Sequence, residues 1–288
     1  MEPETIQSIL ERLDYYDGTY PRKAIDEAVQ LKDEITPYLI EHLEELLADP
    51  DRYIEEDHYA CVFAFILLGY FRETRTHEVI MKIAALQEDI LDQLFGDMIT
   101  EDFSWIFYAT CGGSVERLKE LVLDKAAYEY CRSAAAHAIV YAAVDGAITR
   151  EAALEFFTML FTGDEAEDGS DFWSFIASNI SDLYPEEAMD VIRKGFEDGL
   201  IHEDFIDYEW FEETLRKGKE QVLERTERDM RARLGKEDIH SYMSWWASFN
   251  EKQPAEPPEY KVDAARKKAA KAKKKKRKMA KASRKKNR

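Results

Sequence analysis

From Tyr59 to Phe71 the chain reads Tyr-Ala-Cys-Val-Phe-Ala-Phe-Ile-Leu-Leu-Gly-Tyr-Phe, and its only polar side-chain groups are the two tyrosine hydroxyls near the ends. A helix that is apolar all round has to be covered on more than one side. The run is also too short to cross a bilayer, which takes about 20 apolar residues. It is therefore read as the inner helix of a stacked helical pair, with neighbouring pairs built to cover it.

The rest of the chain repeats that plan. A Ser or Thr capping signal followed by an amphipathic helix recurs at Thr36, Thr76, Ser114 and Thr149, and a fifth start falls at Tyr184, ahead of Pro185-Glu186-Glu187. Such caps satisfy the free N–H groups of a helix start, and Pro or Glu suits its first turn. The separations are 40, 38, 35 and 35 residues. A short or strongly apolar helix is predicted before each start, at 22–31, 57–71, 101–110, 129–144 and 171–181. A helix–turn–helix unit with this period is the signature of an α-solenoid. The expected fold is all-α, an α-solenoid of about five HEAT-like helical hairpins.

The ends of the array differ from its middle. Glu4–Leu13 reads as a short helix closed by the turn Tyr15-Tyr16-Asp17-Gly18, and Pro21 opens the next helix. Trp210–Leu234 reads as one long, mostly charged helix that caps the solenoid by a narrow face, with the aromatic segment Ile239–Phe249 stapling it down. This places the helical domain at 1–250, a Pro-rich linker at 251–260 and a Lys/Arg-rich tail at 261–288. The tail is expected to be disordered, because like charges repel and nothing apolar offsets the entropy of ordering.

Composition agrees with a helical protein. Hydrophobic residues make up 45% of the chain, enough for a real core, while 12 Gly and 8 Pro are too few for a many-turned β protein. The three cysteines form no Cys-x-x-Cys pair, and the acidic start Met-Glu-Pro-Glu has no basic-then-apolar pattern. Together they point to a reducing, cytoplasmic setting. The net charge of -19 hides two opposed parts: residues 261–288 hold 16 Lys and Arg against one Asp, a net of +15, and the remainder holds 24 Lys and Arg against 58 Asp and Glu, a net of -34. An acidic body of that kind does not bind nucleic acid over its general surface, but the tail can do so by itself.

No stretch completes a catalytic or metal-binding pattern. Asp164-Glu165-Ala166-Glu167-Asp168-Gly169-Ser170-Asp171 is rich enough in acids to suggest a calcium loop, yet Ala166 and Phe175 stand where ligands are required; it is read as a solvated acidic loop. The six histidines have no metalloprotease-type spacing, and His202-Glu203-Asp204 with Asp207 reads as a polar loop before a weak metal site. His137, on an apolar helix, reads as a hydrogen-bonded core residue. Cys111-Gly112-Gly113-Ser114 has two glycines before a helix start but no P-loop lysine, and Cys111 has no histidine partner; it reads as a loop with a Ser cap. Tyr59, Phe63, Phe65, Tyr70 and Phe71 read as core, since a base-stacking platform has basic residues between its aromatics. No catalytic residue, metal or cofactor is expected. The candidate site is the tail itself, where Lys273, Lys274, Lys275, Lys276, Arg277, Lys278, Arg284, Lys285 and Lys286 suit phosphate contacts to a polyanion.

Tyr130-Cys131-Arg132-Ser133-Ala134-Ala135-Ala136-His137-Ala138-Ile139, followed by Gly146-Ala147-Ile148-Thr149-Arg150-Glu151, resembles a HEAT-type repeat, and more closely a bacterial family known only as domain of unknown function 1186. Phe71-Arg72-Glu73 and Trp245-Trp246 fit the same resemblance, which spans roughly residues 1–250. It implies a HEAT-like helical fold and carries over no active residue. Some members of that family end in a cysteine-rich zinc motif, whereas here no cysteine follows Cys131 and the tail is lysine-rich.

The resulting expectation is a non-enzymatic scaffold whose acidic helical-repeat surface holds a basic protein or peptide, with the tail adding an electrostatic contact. The alternative is an RNA- or ribosome-associated factor anchored by the tail.

Overall fold

In the computed structural model, which describes residues 3–14, 18–55, 59–244 and 246, every regular element is a helix. The chain begins with α1 (Pro3–Asp14), α2 (Arg22–Gln30), α3 (Lys32–Ala48) and the short α4 (Pro50–Glu55). The apolar run forms α5 (Ala60–Tyr70), followed by α6 (His77–Ala84), α7 (Glu88–Phe95) and α8 (Met98–Glu101). The middle holds α9 (Phe103–Thr110), α10 (Glu116–Leu123), α11 (Glu129–Val144) and α12 (Arg150–Thr158). The C-terminal part holds α13 (Phe172–Asp182), α14 (Met189–Glu197), α15 (Tyr208–Lys217), α16 (Lys219–Leu234) and α17 (His240–Met243).

Helices α5, α9, α11 and α13 pack each on the next and make an inner row; α3, α6 and α10 line up behind it. Helix α5 is covered by α1, α3 and α9. All its residues but Val62 and Tyr70 are buried, and Phe65 lies 5.3 Å from Phe103 in a stacked arrangement and 4.6 Å from Phe95. The approach of α5 to α9 depends on Gly69: a Cβ there would come within 2.9 Å of the Trp105 ring, closer than atoms tolerate.

Two buried arginines tie one helical pair to the next. The Arg132 guanidinium donates to Val122 O and Glu165 O, both at 2.9 Å, and lies 3.8 Å from the Phe172 ring centre. Its burial lowers its pKa to about 10. Arg150, at the start of α12, donates to Leu183 O and Tyr184 O and pairs with Glu187. The hydrogen bond from Arg150 is the largest influence on Glu187 and brings its pKa down to about 2.

The five paired helices fall close to their expected positions, but the cap readings divide. Thr149 accepts a hydrogen bond from Ala152 N and caps α12. Thr36 is no cap: α3 already begins at Lys32, and the Thr36 hydroxyl turns back to donate to Lys32 O at 2.6 Å. The reason is the buried stripe Ile35, Leu39, Leu43, which carries the helix through Thr36 and Pro37. Ser114 is exposed and makes no cap bond; Val115 stands at the start of α10. At Thr76 the first turn is a short 3₁₀ segment capped by Glu73, whose carboxylate accepts from Arg75 N. The start expected at Tyr184 begins with a 3₁₀ turn at Glu186–Ala188 before α14.

Two further corrections bear on function. Helices α7 and α8 lie between the second and third pairs and were not foreseen; α8 packs on α9 and α11. The long C-terminal helix is two helices. Gly218, at φ 86°, breaks it into α15 and α16. Helix α15 packs on α14 at the end of the array, with Phe211 buried against Phe196, while α16 turns back and lies across α13, α11 and α9. The C-terminal helices thus cap the array at its end and also strap the inner row. The staple holds among the described residues: Ile239, Tyr242 and Met243 are buried, and Tyr242 stacks on Trp105 at 4.5 Å. Trp245 and Ala247–Phe249, the linker and the whole tail lie outside the described residues.

Candidate functional site

The strap leaves a gap on the inner row. Between α8, α9, α11 and α13, with the end of α16 at its mouth, lies an open cavity of about 320 Å³. Its walls come from the helical period. On α11 the residues facing it are Tyr130, Ser133, Ala134, His137 and Tyr141; on α13 they are Phe175, Ser178, Asn179 and Asp182. Spacings of three and four place each set on one stripe of its helix. Apart from Glu129 and Arg132 on α11 and Ser174 and Ser181 on α13, the other residues of the two helices are apolar, so the polar groups of these stripes gather on the cavity side.

Hydrogen bonds fix the chemistry of the stripes. Asn179 donates its amide N–H to Phe175 O at 2.9 Å, which turns its Oδ1 toward His137 Nδ1, also at 2.9 Å. The neutral imidazole then carries its proton on Nδ1 and donates it, leaving Nε2 as an acceptor. The His137 ring meets Tyr141 edge-on at 4.7 Å. Tyr141 is buried, and burial raises the pKa of its phenol, opposed first by the charge of Arg233 and then by Ser104.

Asp182 pairs with Arg225 of α16 at 2.6 Å, and Thr226 donates to the Asp182 carbonyl at 2.8 Å. Burial of the Asp182 carboxyl raises its pKa, against the pull of His137 and Arg225. At the mouth, Arg233 donates to Glu101 O at 2.9 Å and lies 3.5 Å from the Glu101 carboxylate. The opposite wall is aromatic: Tyr130 lies 5.2 Å from Phe175, and half-exposed Phe205 meets Phe175 edge-on at 5.1 Å. After burial, the carboxylates of Glu129, Asp171, Glu88 and Asp92 are what raise the Tyr130 pKa, so the field on this side of the cavity is negative.

The sequence reading singled out His137 but placed it in the core; it is hydrogen-bonded as expected, and it lines the cavity as well. Asp182, Asn179 and the serines were missed. The signal that finds them is the three- and four-residue spacing of polar side chains on two largely apolar inner helices. The remaining candidates lie elsewhere. His202 pairs with Asp171 at 2.5 Å, and Asp207 caps α15 by accepting from Trp210 N, so both are engaged within the fold. Among the described residues no group of three His, Cys, Asp or Glu side chains is placed to hold a metal ion. The loop expected to be a solvated acidic one has a buried member. Glu165 accepts from Thr162, Gly163 N and the Trp173 indole. Burial alone would raise its pKa, but these bonds outweigh it and lower it. Cys111 is buried, donates weakly to Tyr108 O, and has its thiol pKa raised by burial, the opposite of an activated nucleophile. The polyanion-binding residues proposed for the tail, Lys273–Lys278 and Arg284–Lys286, lie outside the described residues.

Residues 4–250 match the family model described as "Protein of unknown function (DUF1186)". The chain belongs to this family. It is also 35% identical over 205 residues to an uncharacterized protein of Chlamydia muridarum (strain MoPn / Nigg), covering 71% of this chain and 82% of the relative. An uncharacterized protein of Chlamydia trachomatis serovar D matches at the same identity over 71% of this chain and 81% of its own length. No solved structure matches the chain. Among the described residues no helix is long and apolar enough to cross a membrane.

Proposed function

We propose that the protein is a non-enzymatic binding scaffold, a HEAT-like α-solenoid whose acidic surface holds a basic protein or peptide, with the Lys/Arg-rich tail adding an electrostatic contact. The observation that carries this reading is the charge division: 58 acidic against 24 basic residues before Lys261, and 16 basic against one acidic residue from there on. Opposed fields of this size steer charged partners and raise association rates at low salt. The course of α16 refines the reading. Because the strap covers part of the inner row, the partner has the cavity mouth to engage, where Phe205 and the nearby Glu203 are exposed.

Titration of the full chain and of residues 1–260 with a Lys/Arg-rich peptide tests it. Saturable binding by both, weakening about tenfold or more between low salt and about 0.3 M salt, is expected from screening. No binding by either at low salt overturns it. A second reading, RNA or ribosome association, rests on the run Lys273–Lys278. Deleting residues 261–288 should then abolish polyanion binding; unchanged co-sedimentation with ribosomes after the deletion rejects it.

A further inference from the structure

We infer that the cavity between α9, α11 and α13 is the anchoring pocket for a cationic side chain, the ammonium or guanidinium of a lysine or arginine on the basic partner. This rests on the scaffold reading and assigns it a specific site. Three independent observations converge on it.

The first is the donor–acceptor balance. The Asn179 amide, held by Phe175 O, sets His137 Nδ1 as a donor, so the neutral ring offers Nε2 as an acceptor, and among the described residues no hydrogen bond takes that nitrogen. Asp182 gives one carboxylate oxygen to Arg225, and the hydroxyls of Ser133 and Ser178 stand on the same walls. A pocket floor made of acceptors and adaptable hydroxyls suits a ligand that only donates, and ammonium and guanidinium are the biological groups with several donors and no acceptor.

The second is the wall. Tyr130, Phe175 and Phe205 form a chain of rings at 5.2 Å and 5.1 Å, ending in the half-exposed Phe205. Aromatic faces beside carboxylates attract organic cations. The third is the field: Glu129, Asp171, Glu88 and Asp92 all act on Tyr130. Among the described residues of the lining the cation is Arg233; it is held by Glu101 at the mouth, from which its charge also reaches Tyr141.

The cavity volume of about 320 Å³ leaves room for a long basic side chain and part of its backbone. The alkyl stem would lie along the rings while the charged head meets Asp182 and His137 Nε2. Arg225 already occupies the far side of Asp182, so the incoming cation completes the carboxylate's shell and does not have to displace the strap.

The test is NMR of the histidine imidazole nitrogens in the full chain, titrated with agmatine, with the peptide acetyl-Gly-Arg-Gly-amide, and with uncharged N-butylurea. The expected result is a saturable shift of His137 Nε2 with both guanidinium probes and none with N-butylurea. Ser178→Phe, which fills the cavity from the stripe of α13 that also carries Asp182, should weaken binding more than tenfold. Asp182→Asn should weaken it comparably, and Glu44→Gln, on the exposed surface of α3, should leave it unchanged. A His137 signal that neither guanidinium probe moves, equal binding of N-butylurea, or full affinity in Ser178→Phe would each overturn the assignment. If the Ser178→Phe protein still binds the Lys/Arg-rich peptide with full affinity, the scaffold reading stands and this pocket falls; if the wild-type chain binds no basic peptide at all, the scaffold reading falls with it.

Discussion

Helices α5 and α16 both lie along the inner row, and they are held there by opposite means. Nine of the eleven residues of α5 are buried and none of them is charged. Only Val222, Thr226 and Met230 of the sixteen in α16 are buried, and its anchors are polar: Arg225 to Asp182, Thr226 to the Asp182 carbonyl, Arg233 to Glu101. Burial of apolar surface is insensitive to salt and pH, whereas half-exposed ion pairs are screened and depend on protonation. One helix therefore makes the fold and the other closes over it with contacts that conditions can loosen.

Several measurements break or sharpen this contrast. The largest effect is expected at α5: Phe65→Ala removes a ring buried among Phe95 and Phe103 and should cost about 3–5 kcal/mol in chemical denaturation, independent of salt. Arg132→Met should follow at about 3 kcal/mol, because it leaves the Val122 and Glu165 carbonyls without their donor.

His77 supplies a pH-dependent loss within the rigid part. It is buried, its Nδ1 bonds Thr110, its Nε2 has no partner among the described residues, and burial lowers its pKa from 6.5 to about 4. The unfolded chain binds the proton first as pH falls, so stability is whole above about 6.5 and drains between 6.5 and 4, by up to about 3 kcal/mol. His77→Gln should flatten that slope in denaturation curves taken between pH 7 and pH 4.

The smallest global effect is expected at the strap. Arg225→Ala should cost about 1 kcal/mol or less in overall stability, yet raise amide hydrogen exchange along α16 in a salt-dependent way while leaving α5 protected. Equal exchange increases in both helices would mean that strap and array open as one unit, and the contrast would fail.

A further tie joins α17 to the N-terminal helices. His240 is buried, with Nδ1 2.9 Å from the Tyr20 hydroxyl and Nε2 2.9 Å from Asp26. The Tyr70 hydroxyl donates to Glu237 O at 2.7 Å nearby. His240→Ala should loosen α17 and the N-terminal helices together, by about 1–2 kcal/mol, measurable as coupled loss of exchange protection in α2 and α17.

Much of the inner row was legible because its signals are local. An all-round apolar run such as Tyr59–Phe71 has one stable fate, and a Thr149-type cap acts within three residues of itself. Thr36 misled because a threonine hydroxyl serves equally as a cap or as a back-bond to the fourth carbonyl before it, and only the burial of Ile35 chose between them. The break at Gly218 was missed because the charged sequence on either side favours helix, and the left-handed glycine is read only where the chain turns. The cavity was invisible as a site because Ser104, His137 and Asp182 are separated by dozens of residues and belong to three helices.

The sequence alone determined that this chain is helical, that Tyr59–Phe71 supplies a buried inner helix, and that charge is split between residues 1–260 and 261–288. Those properties follow from hydrophobic period, capping chemistry and residue counts, which act over short distances or need no geometry. Tertiary structure alone decided that α16 runs back over the inner row, that His240 reaches Tyr20 across the chain, and that two polar stripes face each other across a cavity. Those outcomes depend on which helix faces which, and that is settled when distant apolar faces bury one another, leaving the polar remainder to find partners where the packing has placed them.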